Sequence, residues 1–420
     1  QLKPMNAHRV AVTGMGLISP FGGDADDFFH HLLAGDSAIG FLRTDDVPRP
    51  MAIPFAGLPT FDPQTHFDKM LLSTVDRFAQ IGLAAALAAW RDAGWSIAAS
   101  DESREHWGVI WGTALGGVLT LDKSYRDLWQ NGRQRLSPLS VVLGMNNAAN
   151  AHISIQLGLG GPSICHSVAC ASSALAIGEA FRRVRSGEST LMIAGGSEAP
   201  QAYSVLRAWE ALRVLAHADE ETAAGACRPF GADRDGLVLG EGGAALVLEN
   251  WQHARSRGAR IHAEMIGYGS SCDHDHLVWP NRDGQVRALR LALADAGLSP
   301  DEVDYVNAHG TATAEGDPIE CQALQAVFGE RAARLPVSAT KAAHGHLLGA
   351  AGALEALITV LALRERAIPP TAHLRSIDPE CAGVDHVTRA RSGQRLRAAL
   401  SNSFAFGGSN AVLVFHAGGQ

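Results

Sequence analysis

Cysteine is scarce in this chain: six residues in 420, at positions 165, 170, 227, 272, 321 and 381, with no Cys-x-x-Cys pair. That excludes a disulfide scaffold and a zinc ribbon, and leaves a single reactive thiol as the better use of sulfur. Long apolar runs are also lacking. The longest, residues 347–363, is broken by Gly349, Gly352 and Glu355, so it falls short of the roughly 20 clean residues that a membrane helix needs. No basic n-region followed by an apolar stretch and a cleavage site opens the sequence. Gln1 to Pro4 ahead of Met5 read as foreign to a natural start, and a cytoplasmic protein is expected. Basic residues are outnumbered, 35 Lys and Arg against 43 Asp and Glu, for a net charge of −8. This is the wrong sign for a general nucleic-acid surface, and no nucleic acid is expected as partner.

What is present describes a globular enzyme-sized body. At 420 residues, 46% hydrophobic and 19% charged, the chain is too long for one small module and can bury a sizeable core. Its 45 glycines follow no third-residue period, which points to tight turns and close backbone contacts rather than collagen. Short apolar strand-like runs alternate with alanine-rich helical runs, the pattern of a layered α/β protein. Strands are predicted over 8–16, 107–112 and 190–196, with a buried helix over 79–91 ended by Gly94. The second half repeats the theme: a strand over 260–268, a helix over 286–296 ended by Gly297, and a strand over 303–307. Residues 334–363 follow the same plan as 162–196, suggesting two related halves that join near residues 250–258. No Pro-, Ser- or Gly-rich linker separates them, so one packed body is expected, with its site in the cleft.

Three segments can carry chemistry. Cys170 lies where a strand or loop passes into a helix among small neighbours. At a helix N-terminus, free N–H groups and the helix dipole stabilise a thiolate, so a lowered thiol pKa and donors for an oxyanion are expected. Taken alone, a cysteine in an alanine-rich segment is more often inert core. His309 sits where a strand runs into a glycine turn with Thr311 and Thr313, and His346 just ahead of a glycine-rich helix. Among 18 histidines, any single one is more often surface or core than catalyst. Cys272, Asp273, His274, Asp275 and His276 crowd one segment, but without a second cluster or a His-Glu-x-x-His helix a solvated loop outweighs a metal site. Gly14 and Gly16 follow a strand but lack the third glycine and the acidic residue of a nicotinamide fingerprint. No Gly-x-Ser-x-Gly elbow of a serine hydrolase is found.

Taken in order, VAVTGMGLISPFG (10–22), VACASSA (168–174), RPFGADRDGLVLGEG (228–242), VNAHGTATAEGDPIE (306–320), KAAHGHLLGAAGALE (341–355) and SNSFAFGGSNA (401–411) resemble one family along nearly the whole chain. It is that of the condensing enzymes of fatty-acid and polyketide synthesis, in particular the elongating 3-oxoacyl-[acyl-carrier-protein] synthases of type I/II. The resemblance implies an α/β thiolase fold, five-layered αβαβα, from two related βαβαβαββ halves. Residues 5–255 would carry the nucleophile and 256–418 the two histidines, usually in a homodimer, with a heterodimer of related subunits as the variant. The implied reaction is decarboxylative Claisen condensation of an acyl group on Cys170 with malonyl-carrier protein. Substrates would arrive on the phosphopantetheine of an acyl carrier protein, with no metal or redox cofactor.

By the same resemblance, His309 and His346 promote decarboxylation, Lys341 supports them, and Glu320 is the charged partner of Lys341. Phe406 is the gate whose N–H joins that of Cys170 in an oxyanion hole, and Thr311 and Thr313 meet the pantetheine arm. Trp209, Ala405 and Phe406 border the acyl pocket. A thiolase would place a second cysteine in the loop 403–410, where there is none. An initiating synthase would have asparagine in place of His346. A chain-length-factor subunit, the alternative reading, would have lost Cys170, and a metal-dependent hydrolase would need a metal. Four departures stand out. Ala405 replaces a glycine of the gating loop, so restricted gating is expected. Residues 70–78 lack a basic run, so carrier docking differs. Val278 stands where a hydroxyl often meets pantetheine, and Trp209 where a phenylalanine often borders the acyl pocket.

Overall fold

The computed structural model describes residues 7–45, 47–97 and 103–418. The expected start of the first half at residue 5 and the foreign-looking Gln1 to Pro4 lie outside the described residues. Two sets of eight elements share one plan. The first runs β1 (Val10–Ile18), α1 (Arg77–Asp92), β2 (Gly108–Gly112), α2 (Ala148–Leu157), β3 (Ser163–His166), α3 (Ser172–Ser186), β4 (Leu191–Glu198) and β5 (Gly242–Asn250). The second runs β6 (Ala263–Cys272), α4 (Arg282–Ala296), β7 (Tyr305–Asn307), α5 (Gly316–Phe328), β8 (Pro336–Ser338), α6 (Ala351–Glu365), β9 (Ala398–Phe404) and β10 (Ser409–His416). Each half therefore reads βαβαβαββ, and its strands lie in the same order, β1-β5-β4-β2-β3 and β6-β10-β9-β7-β8.

The halves meet where β1 pairs antiparallel with β6, Val10 opposite Met265 and Val12 opposite Ala263. The two sheets thus join edge to edge into one of eleven strands, the eleventh being the two-residue Asp385–His386 beside β8. The helices α3 and α6 fill the middle layer. α6 is buried from Ala351 to Leu363, apolar nearly all round, as a helix between two sheets must be. α1 and α2 cover the outer face of the first half, and α4 and α5 that of the second. Strand residues alternate accordingly: Ile110, Met192 and Leu246 join the middle core, whereas Val109, Trp111 and Ile193 face outward to α1 and α2. This is the five-layered αβαβα body expected. A small three-stranded sheet of Gly40–Thr44, Met51–Ala56 and Leu239–Gly240 is an addition that the sequence reading did not foresee.

The glycines that looked like a broken nucleotide fingerprint serve helix packing. A Cβ on Gly16 would lie 2.2 Å from the Ala85 carbonyl and 2.4 Å from the Ala89 N of α1. In the other half, a Cβ on Gly269 would lie 2.3 Å from the Ala288 carbonyl and 2.4 Å from the Ala292 N of α4. Both strands bring backbone against an alanine face, and no side chain fits between. The middle layer does the same where α6 crosses α3: the Ala353 N–H donates to Ser173 Oγ at 2.9 Å.

Overpacking at such a contact costs about 1–3 kcal/mol. Gly16→Ala and Gly269→Ala are each expected to lower the unfolding free energy by that order, read as a shift in denaturant midpoint at constant m-value. Unchanged midpoints in both variants would mean that the helix–strand approach is not as close as described.

Candidate active site

Cys170 occupies the turn between β3 and α3, and His346 the corresponding turn between β8 and α6. The duplicated fold brings the two turns face to face, with His346 Nε2 3.2 Å from Cys170 Sγ. The turn before the thiol is strained: Ala169 has φ +44°, a left-handed conformation that costs a non-glycine residue about 1–3 kcal/mol. Ser172 holds it there, accepting from the Val168 N–H at 2.8 Å and donating to the Ala169 carbonyl at 2.6 Å. No side chain caps α3, so the thiol sits beside open helix N–H groups. Leu348, two residues after His346, and Ala312, between the two threonines, are left-handed as well, at φ +47° and +64°.

Hydrogen bonds assign the proton on each imidazole. The Leu348 N–H donates to His346 Nδ1 at 3.2 Å, so the neutral ring carries its hydrogen on Nε2, the atom facing the thiol. Lys341 Nζ lies 3.3 Å from His309 Nδ1 and donates to the His309 carbonyl at 2.6 Å. An ammonium can only donate, so His309 also keeps its hydrogen on Nε2. The rings stand nearly perpendicular, centroids 5.5 Å apart. Burial first, and the Lys341 charge second, hold both well below the ordinary histidine value of 6.5. The result is two neutral N–H donors in the cavity that Cys170 lines, that of His346 beside the sulfur.

Two expectations need correction. Lys341 pairs with Glu355 of α6, both side chains fully buried, and not with Glu320. Glu320 instead accepts from the His309 and Gly310 N–H groups, each at 2.8 Å, and from Asn402 at 3.1 Å, so it holds the backbone of the histidine loop. Burial raises Glu355 to about 7 against the pull of Lys341. The second correction concerns Cys170. Its thiol is pushed up to about 12, because burial outweighs Lys341 and the Phe406 N–H, and Glu198 and Glu355 add to the rise. The helix terminus does not make it a standing thiolate.

The remaining predicted residues line one cavity of about 540 Å³ that opens to solvent: Cys170, His309, His346, Thr311, Thr313, Trp209, Ala405, Phe406 and Val278. Lys341 is fully buried and reaches it only through His309. The Phe406 ring stacks on Trp209, centroids 5.8 Å apart, and its N–H is directed at Cys170 Sγ. The Thr311 and Thr313 hydroxyls lie 2.9 Å apart. The crowded segment is not simply a solvated loop. Asp273 is buried and accepts from Asn410 at 2.7 Å and the Asn281 N–H at 3.1 Å, bracing the chain beside Phe406. Among the described residues no three of His, Cys, Asp and Glu converge as metal ligands.

Sequence reasoning missed Glu355 and Glu198. Glu198, at the end of β4, accepts from the N–H groups of Ala114, Leu115 and Gly349 and from Thr113 Oγ1, and burial raises it to about 7. It ties the loop after β2 to the turn after His346. The signal for Glu355 was visible as the lone charge in the apolar run 347–363; Glu198 had none.

The chain is similar to known proteins along nearly its whole length. Residues 7–254 match the family Beta-ketoacyl synthase, N-terminal domain, and residues 262–375 match Beta-ketoacyl synthase, C-terminal domain. The chain is 41% identical over 407 residues to Nodulation protein E of Rhizobium sp. (strain N33), covering 97% of this chain and 98% of that one. It is 40% identical over 411 residues to 3-oxoacyl-[acyl-carrier-protein] synthase 2 of Staphylococcus aureus (strain N315), covering 97% and 98%. A beta-ketoacyl synthase crystal structure from Burkholderia phymatum STM815 superposes with a TM-score of 0.89 at 35% identity, covering 98% and 99%.

A lowered pKa keeps an imidazole neutral as pH falls through 6.5. The unfolded chain then binds more protons there, so these two rings withdraw stability on acidification below that value. In nitrogen-labelled protein, His309 and His346 are expected to show the Nε2–H tautomer unchanged from about pH 8 to about pH 6. Titration of either ring near 6.5 would contradict the assigned donors.

Proposed function

The chain belongs to the beta-ketoacyl synthase family and is a carbon–carbon bond-forming acyltransferase, and from that premise we propose that Cys170 carries the acyl group while His309 and His346 hold the enolate made from a malonyl thioester. The enzyme is a 3-oxoacyl-[acyl-carrier-protein] synthase, catalysing decarboxylative Claisen condensation. One observation carries the assignment of roles: Nδ1 of each ring is engaged, so both Nε2–H groups remain for substrate in the cavity that Cys170 lines.

Acyl transfer begins with attack of Sγ on the acyl thioester carbonyl. The Cys170 and Phe406 N–H groups serve the oxyanion, and the arm's sulfur leaves with the proton that Cys170 gives up. Because the resting thiol is protonated, its proton has to leave as Sγ attacks; it passes to the departing arm sulfur, while His346 Nε2–H donates to the developing thiolate rather than taking that proton. The malonyl thioester then loses carbon dioxide, and the electron pair of the broken bond becomes an enolate whose oxygen accepts from His309 and His346. Its carbon attacks the acyl–Cys170 carbonyl, the carbon–carbon bond forms, and the C–S bond breaks to release the Cys170 thiolate, which takes a proton from solvent to restore the resting thiol. Lys341 acts as a positioning residue, through the His309 ring. These steps run on side chains and backbone alone and call for neither metal nor redox cofactor.

In this reading the half ending near residue 255 supplies the nucleophile, the half from 256 the histidines, and a carrier protein presents both thioesters at the cavity mouth beside Trp279 and Val278. The free cysteines and the lack of any helix long and apolar enough to cross a membrane among the described residues accord with a cytoplasmic enzyme. A homodimer accords with the exposed apolar residues that precede β3 in the chain: Trp129 at 76%, Val141 at 72% and Ile155 at 70% exposure. They lie on the same stretch of chain as β3, the outermost strand of the sheet, whose open edge a second copy can pair.

Incubated with acyl- and malonyl-carrier proteins, the enzyme is expected to yield a 3-oxoacyl product two carbons longer by mass. Cys170→Ala should abolish condensation by roughly 10³-fold or more, and condensation that survives it would overturn the nucleophile. Decarboxylation persisting in that variant is compatible, since the two donors remain. In sedimentation, the wild type should run as a dimer and Trp129→Lys with Val141→Asp as a monomer; a monomeric wild type, or a dimer untouched by both changes, defeats the interface.

A further inference from the structure

Most polar groups on the cavity wall are engaged within the chain. Thr311 and Thr313 pair with each other, Asp273 holds Asn410 and the Asn281 N–H, and Asp235 accepts from the His217 N–H at 3.2 Å. His276 Nδ1 accepts from the Val278 and Trp279 N–H groups, each at 3.0 Å. Apart from the two histidines, Gln285, on the first turn of α4, is the exception. It lines the cavity and is 1% exposed, yet its carboxamide oxygen has no hydrogen-bond partner. Among the described residues it is the one cavity-lining side chain with a buried polar atom left without a partner. A buried amide in that state costs stability, and a leucine of similar size would not. Its presence is explained if a ligand completes it.

The surroundings say which part of the ligand. Cys170 belongs to an apolar cluster with Phe55, Leu206, Leu239 and Leu348, the side on which a hydrocarbon chain is accommodated. Gln285 lies away from that cluster, on α4, which packs chiefly on β6, β10 and α5, and it shares the cavity with Thr311, Thr313 and Val278. The group that meets it is therefore on the thioester-bearing arm and not on the acyl chain. A carboxamide offers one acceptor and two donors, and its natural complement is a secondary amide, which offers one of each. We propose that Gln285 is a specificity-determining residue of this reaction, its Oε1 accepting the N–H of an amide in the arm that carries the thioester. The proposal rests on the synthase reading above and deepens it.

The test compares wild type with Gln285→Leu on malonyl-pantetheine and on a malonyl thioester of propanethiol, which has no amide. With the first substrate the variant should show KM raised about three- to tenfold, the worth of one hydrogen bond, with kcat little changed. With the second, KM should not move. The melting temperature of the ligand-free variant should equal or exceed that of wild type. Parallel rises with both thioesters, no rise with either, or a lowered melting temperature would each overturn the proposal, the last by showing that the amide has a structural partner. Calorimetry with S-methyl pantetheine separates the two readings. If the wild type turns over neither thioester, the enzymatic reading fails, while weaker binding of S-methyl pantetheine by the variant still supports Gln285 and equal binding defeats it.

Discussion

The site depends on one buried ammonium. Lys341 has no exposed surface and spends its donors on the Glu355 carboxylate, the His309 carbonyl and His309 Nδ1. A charge taken out of water is tolerable only when it is paired and hydrogen-bonded, and losing one partner of such a pair typically costs about 3–5 kcal/mol. Here the pairing also performs chemistry. The ammonium fixes which nitrogen of His309 carries the hydrogen, and its field adds to the burial that keeps His309 and His346 neutral. A protonated imidazole would bind a resting carboxylate as readily as an enolate. A neutral N–H instead favours the charge that develops during reaction, which is where stabilisation accelerates it.

Around that pair, the duplicated fold supplies position. Equivalent turns of the two halves carry Cys170 and His346, and the edge pairing of β1 with β6 sets one half against the other so that the turns oppose. The left-handed residues Ala169, Ala312 and Leu348 are strain gathered at one place, held by Ser172, Asp317 and Glu198. Rigidity here is useful, because two donors and a nucleophile must converge to within tenths of an ångström.

Much of this was legible in the chain. Alternating apolar and alanine-rich segments predicted the layers, the likeness of 162–196 to 334–363 predicted the doubling, and the resemblance of the six motifs to one family named Cys170, His309 and His346. Pairings were not legible. Glu320, near in sequence to His309, looked like the partner of Lys341, whereas the lysine turns to Glu355, one helix further on. The same limit applies to the thiol: a helix terminus can be read from a motif, but the depth of burial that outweighs it cannot.

The sequence by itself determined which elements form, where they end and which side chains are chemically able to act, because periodicity, caps and residue type are local properties. Only the tertiary structure decided the protonation of Cys170, the hydrogen on each imidazole, the partner of Lys341 and the unpaired amide of Gln285. Each of those depends on solvent exclusion and on a neighbour distant in the chain, and neither quantity exists until the two halves have closed on each other.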